Sequence, residues 1–582
     1  MVALLDEQST PPSLSVSIGQ ASSAGQKSRN QDFHGALVPD ERALSFKGIT
    51  VALADGISTS EVSSIASQTI VKSLLTDYYS TPDAWTVKTS VSRVISAANA
   101  WLYAQNGFAG LYDVDHGHVC TLAAVVFKAH TAHLFHVGDS RIWRLSGQSL
   151  EPLTADHHVS LGAGEIVLSK AIGAASHVEI DYMCEPIALG DVFVLTTDGV
   201  HEHWHSRAVA DVILESPTLE AAAQKILDDA LAAGSSDNLT VQIVRIEALP
   251  NGDQTQFDMA AKTLPIPPLP REGAVIDGLT ILRQLHANHR SHIYLAKTID
   301  GEKVALKIPA SDLKDDADGL RRFLMEDWIA RRIDNAHVLG APALIGPRSG
   351  LYVVTDFIEG QTLRQWMQDN PKPSFEQVRD ILEQVIRGLR AFHRREMLHQ
   401  DLRPENIMID TDGVVKIIDF GATYVAGVQE AAPLREEDGI LGTLQYTAPE
   451  YFSGAPVSWR SDLFSLGVIA YEMLTGTLPY GTQVGKVRNT RDQLRLRYRN
   501  ARDDAHPMPA WLDDALAKAV NPDPARRHDA LSEFGANLRA PSVSYSARRH
   551  VPLAERNPER FWKTLCGVLA LLSLILATLA FD

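Results

Sequence analysis

The sequence predicts a multidomain α+β chain whose last element is one C-terminal transmembrane helix. Three observations carry this. At 582 residues the chain exceeds what one hydrophobic core supports, so roughly two to four domains are expected. A proline-rich break, Leu264-Pro265-Ile266-Pro267-Pro268-Leu269-Pro270, follows a strand-like run (LTVQIVRI, residues 239–246) near the middle of the chain. Residues 564–581, TLCGVLALLSLILATLAF, run free of charge for about 18 positions, near the minimum for a helical span.

Composition narrows the function classes. The net charge of −17 argues against nucleic acid as a partner, since nothing offsets phosphate repulsion. The three cysteines, Cys120, Cys184 and Cys566, are far apart and form no CxxC pair. Neither a disulfide framework nor a cysteine zinc site is indicated, which fits a reducing compartment. The start, MVALLDEQSTPP, has no basic region before an apolar run, so no signal peptide is expected.

The division along the chain follows from these breaks: residues 14–247, a proline-rich linker at 248–274, residues 275–538, a polar juxtamembrane linker at 539–563, and the span at 564–581. The proline run reads as an extended spacer or as a loop packed on a domain. Arg548, Arg549, Arg556, Arg560 and Lys563 precede the last run and only Asp582 follows it. By the positive-inside rule this predicts a single-pass anchor in the cytoplasmic (inner) membrane, with both halves in the cytoplasm. The alternative is a buried core helix.

In the N-terminal half, apolar strand-like runs end in carboxylates. Residues 45–55 (SFKGITVALAD) end at Asp55-Gly56, residues 191–199 (DVFVLTTDG) end at Asp198-Gly199, Asp237-Asn238 opens a third run, and Asp32 lies in Asn30-Gln31-Asp32. Each Asp-Gly alone is a turn signal. Gathered on one sheet edge, carboxylates without His or Cys suit hard ions such as Mg²⁺ or Mn²⁺. Two such ions about 3.5–4 Å apart activate a bridging water and clamp a phosphate.

The order of these elements, with His136-Val137-Gly138-Asp139-Ser140-Arg141, Ala171-Ile172-Gly173 and Ser236-Asp237-Asn238-Leu239-Thr240, resembles the type 2C (PPM) metal-dependent protein phosphatases. The resemblance implies an α-β-β-α sandwich holding two Mg²⁺ or Mn²⁺ ions and acting on phosphoserine or phosphothreonine of proteins. It implies that Asp55 bridges both ions and Gly56 offers its carbonyl. Asp198 and Asp237 would complete one shell, and Asp32 would hold water on the metal. Asp139 would be outer shell or a ligand of a weaker third ion. Three positions depart from the pattern: Lys27 replaces the phosphate-binding Arg, Ser58-Thr59-Ser60 replaces glycines, and Val119-Cys120-Thr121 replaces Gly-Thr-Thr. Lys is a point charge rather than a bidentate fork, so weaker phosphate affinity is expected. His201-Glu202-His203-Trp204-His205 reads as the start of a surface loop or helix, with zinc as the lesser alternative.

The C-terminal half carries His399-Gln400-Asp401-Leu402-Arg403-Pro404-Glu405-Asn406, then Asp419-Phe420-Gly421, then Ala448-Pro449-Glu450. An Asp that accepts a hydroxyl proton precedes an Asn and an Asp that hold Mg²⁺ against ATP phosphates. These motifs, with Lys307 in Val304-Ala305-Leu306-Lys307, resemble the eukaryotic-like (Hanks-type) protein kinases over about residues 276–538. The resemblance implies a bilobal protein kinase fold that uses ATP with Mg²⁺ to phosphorylate Ser/Thr. Lys307 would meet the α/β-phosphates and Glu326 would be its helix partner. Thr355, in LYVVTDFIEG (residues 351–360), would be the gatekeeper. Asp401 would orient the hydroxyl, Asn406 and Asp419 would hold Mg²⁺, and Arg403 would stand near the γ-phosphate. Glu450 is expected to pair with Arg527, Asp462 to anchor the catalytic loop, and Gly442-Thr443 to lie on the substrate side.

Two departures stand out here. Where the family has Gly-x-Gly-x-x-Gly, this chain has His286-Ala287-Asn288-His289-Arg290-Ser291, with Arg290 or the histidines as compensating charge. Gln400 replaces the Arg that receives an activation-loop phosphate, which implies activity without that switch. The whole reads as a bifunctional kinase–phosphatase whose partners are protein substrates, its own chain among them, and a membrane. The alternative is an active membrane-tethered phosphatase regulated by an ATP-sensing pseudokinase.

Overall fold

The computed structural model describes residues 13–109, 116–162, 165–250, 264–288, 290–343, 348–431, 445–502, 507–548 and 558–581. In the N-terminal half two five-stranded antiparallel sheets face each other. One runs in the order Ser15–Ser23, Leu239–Ala248, Val192–Thr196, Arg141–Ser146, Ser149–Pro152; the other runs Asp181–Pro186, Thr131–Val137, Leu122–Lys128, Ile49–Ala54, Phe33–Leu37.

The period-two alternation of a strand explains the layers. Ile49, Val51 and Leu53 point between the sheets at Phe193, Leu195 and Val244. Ala52 and Ala54 point outward into a cluster with Ile70, Leu74 and Val91, on the helices Ser63–Ser80 and Val87–Ala109. On the other sheet Val194, Val241 and Ile243 meet Val209, Ile213 and Ile226, on the helices Ser206–Glu215 and Leu219–Ala232. Ile49–Ala54 is buried at every residue, which is why it reads, Thr50 apart, as an apolar run rather than an alternating one. The result is an α-β-β-α sandwich.

In the C-terminal half a five-stranded sheet (Val275–Ile276, Leu279–Ala287, Ser291–Lys297, Lys303–Pro309, Val353–Asp356) packs with the helix Ala317–Ala330 as the smaller lobe. The larger lobe is helical around Phe375–His393 and Trp459–Thr475. Both of these helices begin with a capping box, Ser374 with Gln377 and Ser458 with Ser461, which satisfies first-turn amides. The proline run is not a free spacer where it is described: the Pro265 carbonyl accepts the Leu351 amide at 2.8 Å, and Ile266 packs on the small-lobe core. Residues 251–263 of that linker and Gly442-Thr443 lie outside the described residues.

The expected membrane span is corrected. The C-terminal run lies in the helix Pro558–Phe581, but among the described residues no helix is long and apolar enough to cross a membrane. The helix starts in charged sequence: Glu559, Arg560 and Lys563 occupy its first turns, and the apolar remainder sits at the lower limit of bilayer thickness. The predicted transmembrane helix, the membrane as partner and the single-pass placement in the cytoplasmic membrane lose the feature they rested on.

Candidate active sites

The predicted phosphatase carboxylates converge at one end of the sandwich because they sit at strand ends. Asp55 follows Ile49–Ala54, Asp139 follows Thr131–Val137, Asp198 follows Val192–Thr196, and Asp32 and Asp237 precede Phe33–Leu37 and Leu239–Ala248. The Asp55 carboxyl lies within hydrogen-bonding reach of Asp32 and of Asp198. Asp32 Oδ2 accepts from Thr240 Oγ1 at 2.7 Å and Thr197 Oγ1 at 3.1 Å, while its Oδ1 is buried with no partner. Asp139 accepts from His158 Nε2 at 3.2 Å. Gly56 permits the close packing: a Cβ there would meet the Gln31 carbonyl oxygen and Ser63 at 2.9 Å.

The electrostatics of this end suit a cation. Burial pushes the Asp32 carboxyl up to about 6 against the hydrogen bonds that favour its charge. Burial, then the charges of Asp32, Asp198 and Asp139, push Asp55 well above the ordinary carboxylate range. Burial and Asp198 take Asp139 up to about 6. Carboxylates this close and this buried cannot all ionise without a cation. An all-oxygen donor set with an orphaned buried oxygen therefore suits Mg²⁺ or Mn²⁺, which Asp32, Asp55, Gly56, Asp198 and Asp237 could hold.

Lys27 is drawn to this end, where its ammonium pairs with Asp237 and donates to Ser58 Oγ. Arg29 turns instead to the Glu61 carbonyl at 3.1 Å. Sequence reasoning noted Thr121 only within a departing turn and missed its role: its Oγ1 accepts the Asp55 amide at 3.0 Å and its own amide donates to the Asp55 carbonyl at 2.8 Å. It also missed Thr197 and Thr240 as holders of Asp32; their places in Thr197-Asp198-Gly199 and Asp237-Asn238-Leu239-Thr240 were the available signal. His201 is no metal ligand candidate: it is buried, its Nδ1 lies 3.0 Å from Thr196 Oγ1, and its ring meets Trp143 edge-on.

The kinase residues line one cleft between the lobes. Lys307 Nζ lies 2.6 Å from Glu326 Oε2 and 3.9 Å from Asp419 Oδ1. Desolvation opposes the Lys307 charge, but Glu326 and Asp419 outweigh it and hold its pKa above the ordinary lysine value. Asn406 Nδ2 donates to the Asp401 carbonyl at 2.8 Å and to its Oδ2 at 2.9 Å. Burial raises the Asp401 pKa above the ordinary aspartate value. Lys307 above all, opposed by burial, holds Asp419 below the usual carboxylate value.

Asp462 ties the catalytic loop: it accepts the His399 and Gln400 amides at 3.0 Å each and lies 2.8 Å from His393 Nε2. Gln400 (φ 66°) and Asp419 (φ 64°) are left-handed, a conformation uncommon outside glycine, and both lie at this site. Arg403 pairs with Glu405 at 3.1 Å. Thr355 is buried on the strand beside Ala305. Glu450 and Arg527 form a bidentate pair at 2.7 Å with both side chains fully buried.

The phosphate loop differs from the glycine-rich pattern in a way the sequence did not reveal. Asn288 Oδ1 accepts the amides of Arg290 at 2.9 Å and Ser291 at 2.8 Å, closing the hairpin on itself. Those amides are the donors a glycine-rich loop would present to phosphate. Arg290 itself lines the cleft with Lys307, Asp401 and Asp419.

The folds and sites define a class: a metal-dependent phosphatase sandwich followed by a bilobal kinase. The protein phosphatase 2C family model matches residues 20–233 and the protein kinase domain model matches residues 283–533. Serine/threonine-protein kinase PknL of Mycobacterium tuberculosis (strain ATCC 25618 / H37Rv) is 31% identical over 275 residues, covering 47% of this chain and 67% of that kinase. Serine/threonine-protein kinase PrkC of Bacillus subtilis (strain 168) is 26% identical over 260 residues, 44% of this chain and 40% of that one. A solved S. agalactiae serine/threonine phosphatase is 24% identical, with 40% of this chain and 100% of that chain covered, at a TM-score of 0.35. The chain belongs to the serine/threonine-protein kinases and carries a protein phosphatase 2C domain ahead of the kinase domain. It spans about two fifths of the length of the first curated relatives it matches, 40% of PrkC for example.

Proposed function

We propose that this chain is a bifunctional enzyme that phosphorylates Ser/Thr of proteins with ATP and hydrolyses phosphoserine and phosphothreonine. The observation that carries the kinase activity is the joined Lys307–Glu326 pair in one cleft with Asp401 and Asp419, Asn406 being hydrogen-bonded to Asp401. Lys307 orients the ATP phosphates, Asp401 accepts the substrate hydroxyl's hydrogen bond, and Asn406 and Asp419 hold Mg²⁺. In the phosphatase site two divalent ions, when bound, supply charge for the phosphoryl oxygens and lower the pKa of water. Asp55 and Asp198 hold those ions, Asp32 is fixed by Thr197 and Thr240 to orient water, and Lys27 meets the phosphoryl group.

The Asn288 hairpin favours a second reading, in which the kinase half binds ATP without transferring phosphate and regulates the phosphatase. One experiment separates them. With labelled ATP and Mg²⁺, the full chain carrying Asp198→Asn is expected to accumulate autophosphate, and adding Asp401→Asn is expected to remove it. Absence of label on the Asp198→Asn chain and on an added protein substrate would leave the second reading standing.

A further inference from the structure

The phosphatase half meets the kinase half at residues 394–396 and grips it at two further elements. Phe46, from the short helix Glu41–Lys47, stacks on Trp328, two residues beyond Glu326, with ring centroids 5.9 Å apart at 28°. Asp83 Oδ2 lies 3.1 Å from the guanidinium of Arg332, which in turn lies over the Trp328 ring at 4.0 Å. Phe46 and Ala84 are buried within the kinase half's own core.

The second element is the helix Ala426–Ala431, which follows Asp419-Phe420-Gly421 closely. Gly427 N donates to the Ala84 carbonyl at 2.9 Å. Lys128 Nζ, on a fully buried side chain, donates to the Gly427 carbonyl at 2.7 Å and to Glu430 at 3.1 Å. Glu430 and Glu396 accept the amides of Val87 at 2.9 Å and Thr86 at 2.8 Å, at the start of the helix Val87–Ala109, where its dipole favours negative charge. A Cβ on Gly427 would stand 2.5 Å from the Trp85 carbonyl oxygen, so this approach requires glycine.

These contacts lie away from the phosphatase carboxylates. Lys128 and Ile49 mark one end of strands whose other ends lead to Thr121 and Asp55. Two of the contacted elements are those a protein kinase must set before transfer: the helix of the Lys partner and the segment behind Asp-Phe-Gly. The residue that would read an activation-loop phosphate is Gln400, which has no charge for that task.

We infer that the phosphatase half is a built-in positioning partner of the kinase, in which Phe46, Asp83 and Lys128 hold the Glu326 helix and the segment behind Asp419 in the arrangement that joins Lys307 to Glu326. This rests on the kinase reading above. The grip stands in for a loop phosphate, so the phosphatase domain supports the kinase at the end opposite its own carboxylates.

The test uses the full chain with Asp198→Asn, so that label is not removed, and two variants of it. Asp83→Arg reverses the pair with Arg332, and Gly427→Ala forces the halves apart from the kinase side. Each is expected to lower peptide phosphorylation about tenfold, 1.4 kcal/mol, and to speed amide hydrogen exchange in residues 317–330. Arg332→Asp added to Asp83→Arg is expected to recover most of the rate. With Asp198 intact, Asp83→Arg is expected to leave Mn²⁺-dependent hydrolysis of a phosphothreonine peptide unchanged. Unchanged transfer and exchange in both variants would overturn the inference, as would lost transfer with exchange unchanged. If the parent chain transfers no phosphate, the kinase reading fails separately, and the exchange of residues 317–330 still decides whether the helix is held.

Discussion

Removing divalent ions should make the phosphatase half's stability depend on pH in a direction its carboxylates dictate. Asp32 is 7% exposed and its carboxyl is pushed up to about 6, as is that of Asp139. A rise of about two pH units over the ordinary value corresponds to ~3 kcal/mol for a buried group. The folded metal-free chain keeps protons on these carboxyls that the unfolded chain releases above about pH 4. The stabilising share of each is therefore present below about pH 4 and lost as pH rises through about 6. A divalent ion reverses this slope, since it stabilises the ionised cluster and competes with protons for it. At a hundred times its Kd the ion contributes about 2.7 kcal/mol, a Tm rise of roughly 5–10 °C for a domain of this size. Scanning calorimetry of the full chain, in EDTA and in Mn²⁺, would read this directly. The rise is expected near pH 7.5, to shrink toward pH 5, and to be largely absent in Asp55→Asn. An equal rise at both pH values, or one that survives Asp55→Asn, would refute the cluster as the ion site.

Three further outcomes follow from the kinase half. Because Asn288 takes the loop amides, Arg290→Ala is expected to raise the KM for ATP by about tenfold with a smaller effect on kcat, read from initial rates over an ATP series. The kinase is expected to keep its rate after dephosphorylation of its activation segment, because Gln400 offers no cation there; a peptide assay before and after phosphatase treatment checks it. Arg527→Met should cost about 3–5 kcal/mol in denaturant unfolding of the kinase half, because it leaves the Glu450 carboxylate buried and unpaired; adding Glu450→Gln should recover part of that.

Much of both sites was legible because their chemistry sits in short segments at strand ends. Asp55-Gly56 and Asp198-Gly199 close, and Asp237-Asn238 opens, runs whose apolar pattern announces a strand, and a strand end fixes where its carboxylate points. Asp401 and Asn406 are five residues apart, so their hydrogen bond is a local matter. Lys307 and Glu326 are further apart, yet a strand followed by a helix brings them together by regular geometry. The C-terminal run shows the limit of a local reading. Counting uncharged residues suggested a span, but the helix also contains Glu559, Arg560 and Lys563, and among the described residues none suffices to cross a membrane.

The sequence by itself determined the two domain folds and proposed the residues to carry the chemistry, because periodicity and motif spacing act over one or two elements. Only the tertiary structure decided which groups satisfy one another across the chain. Lys27 meets Asp237, 210 positions away, and Asn288 turns its own loop's amides inward. Lys128 reaches Glu430, 302 positions away, and Trp85 reaches the Arg394 carbonyl, 309 positions away. A buried lysine or an exposed glutamate looks the same in sequence; burial, and the need to pair what is buried, arise only when distant surfaces close on each other.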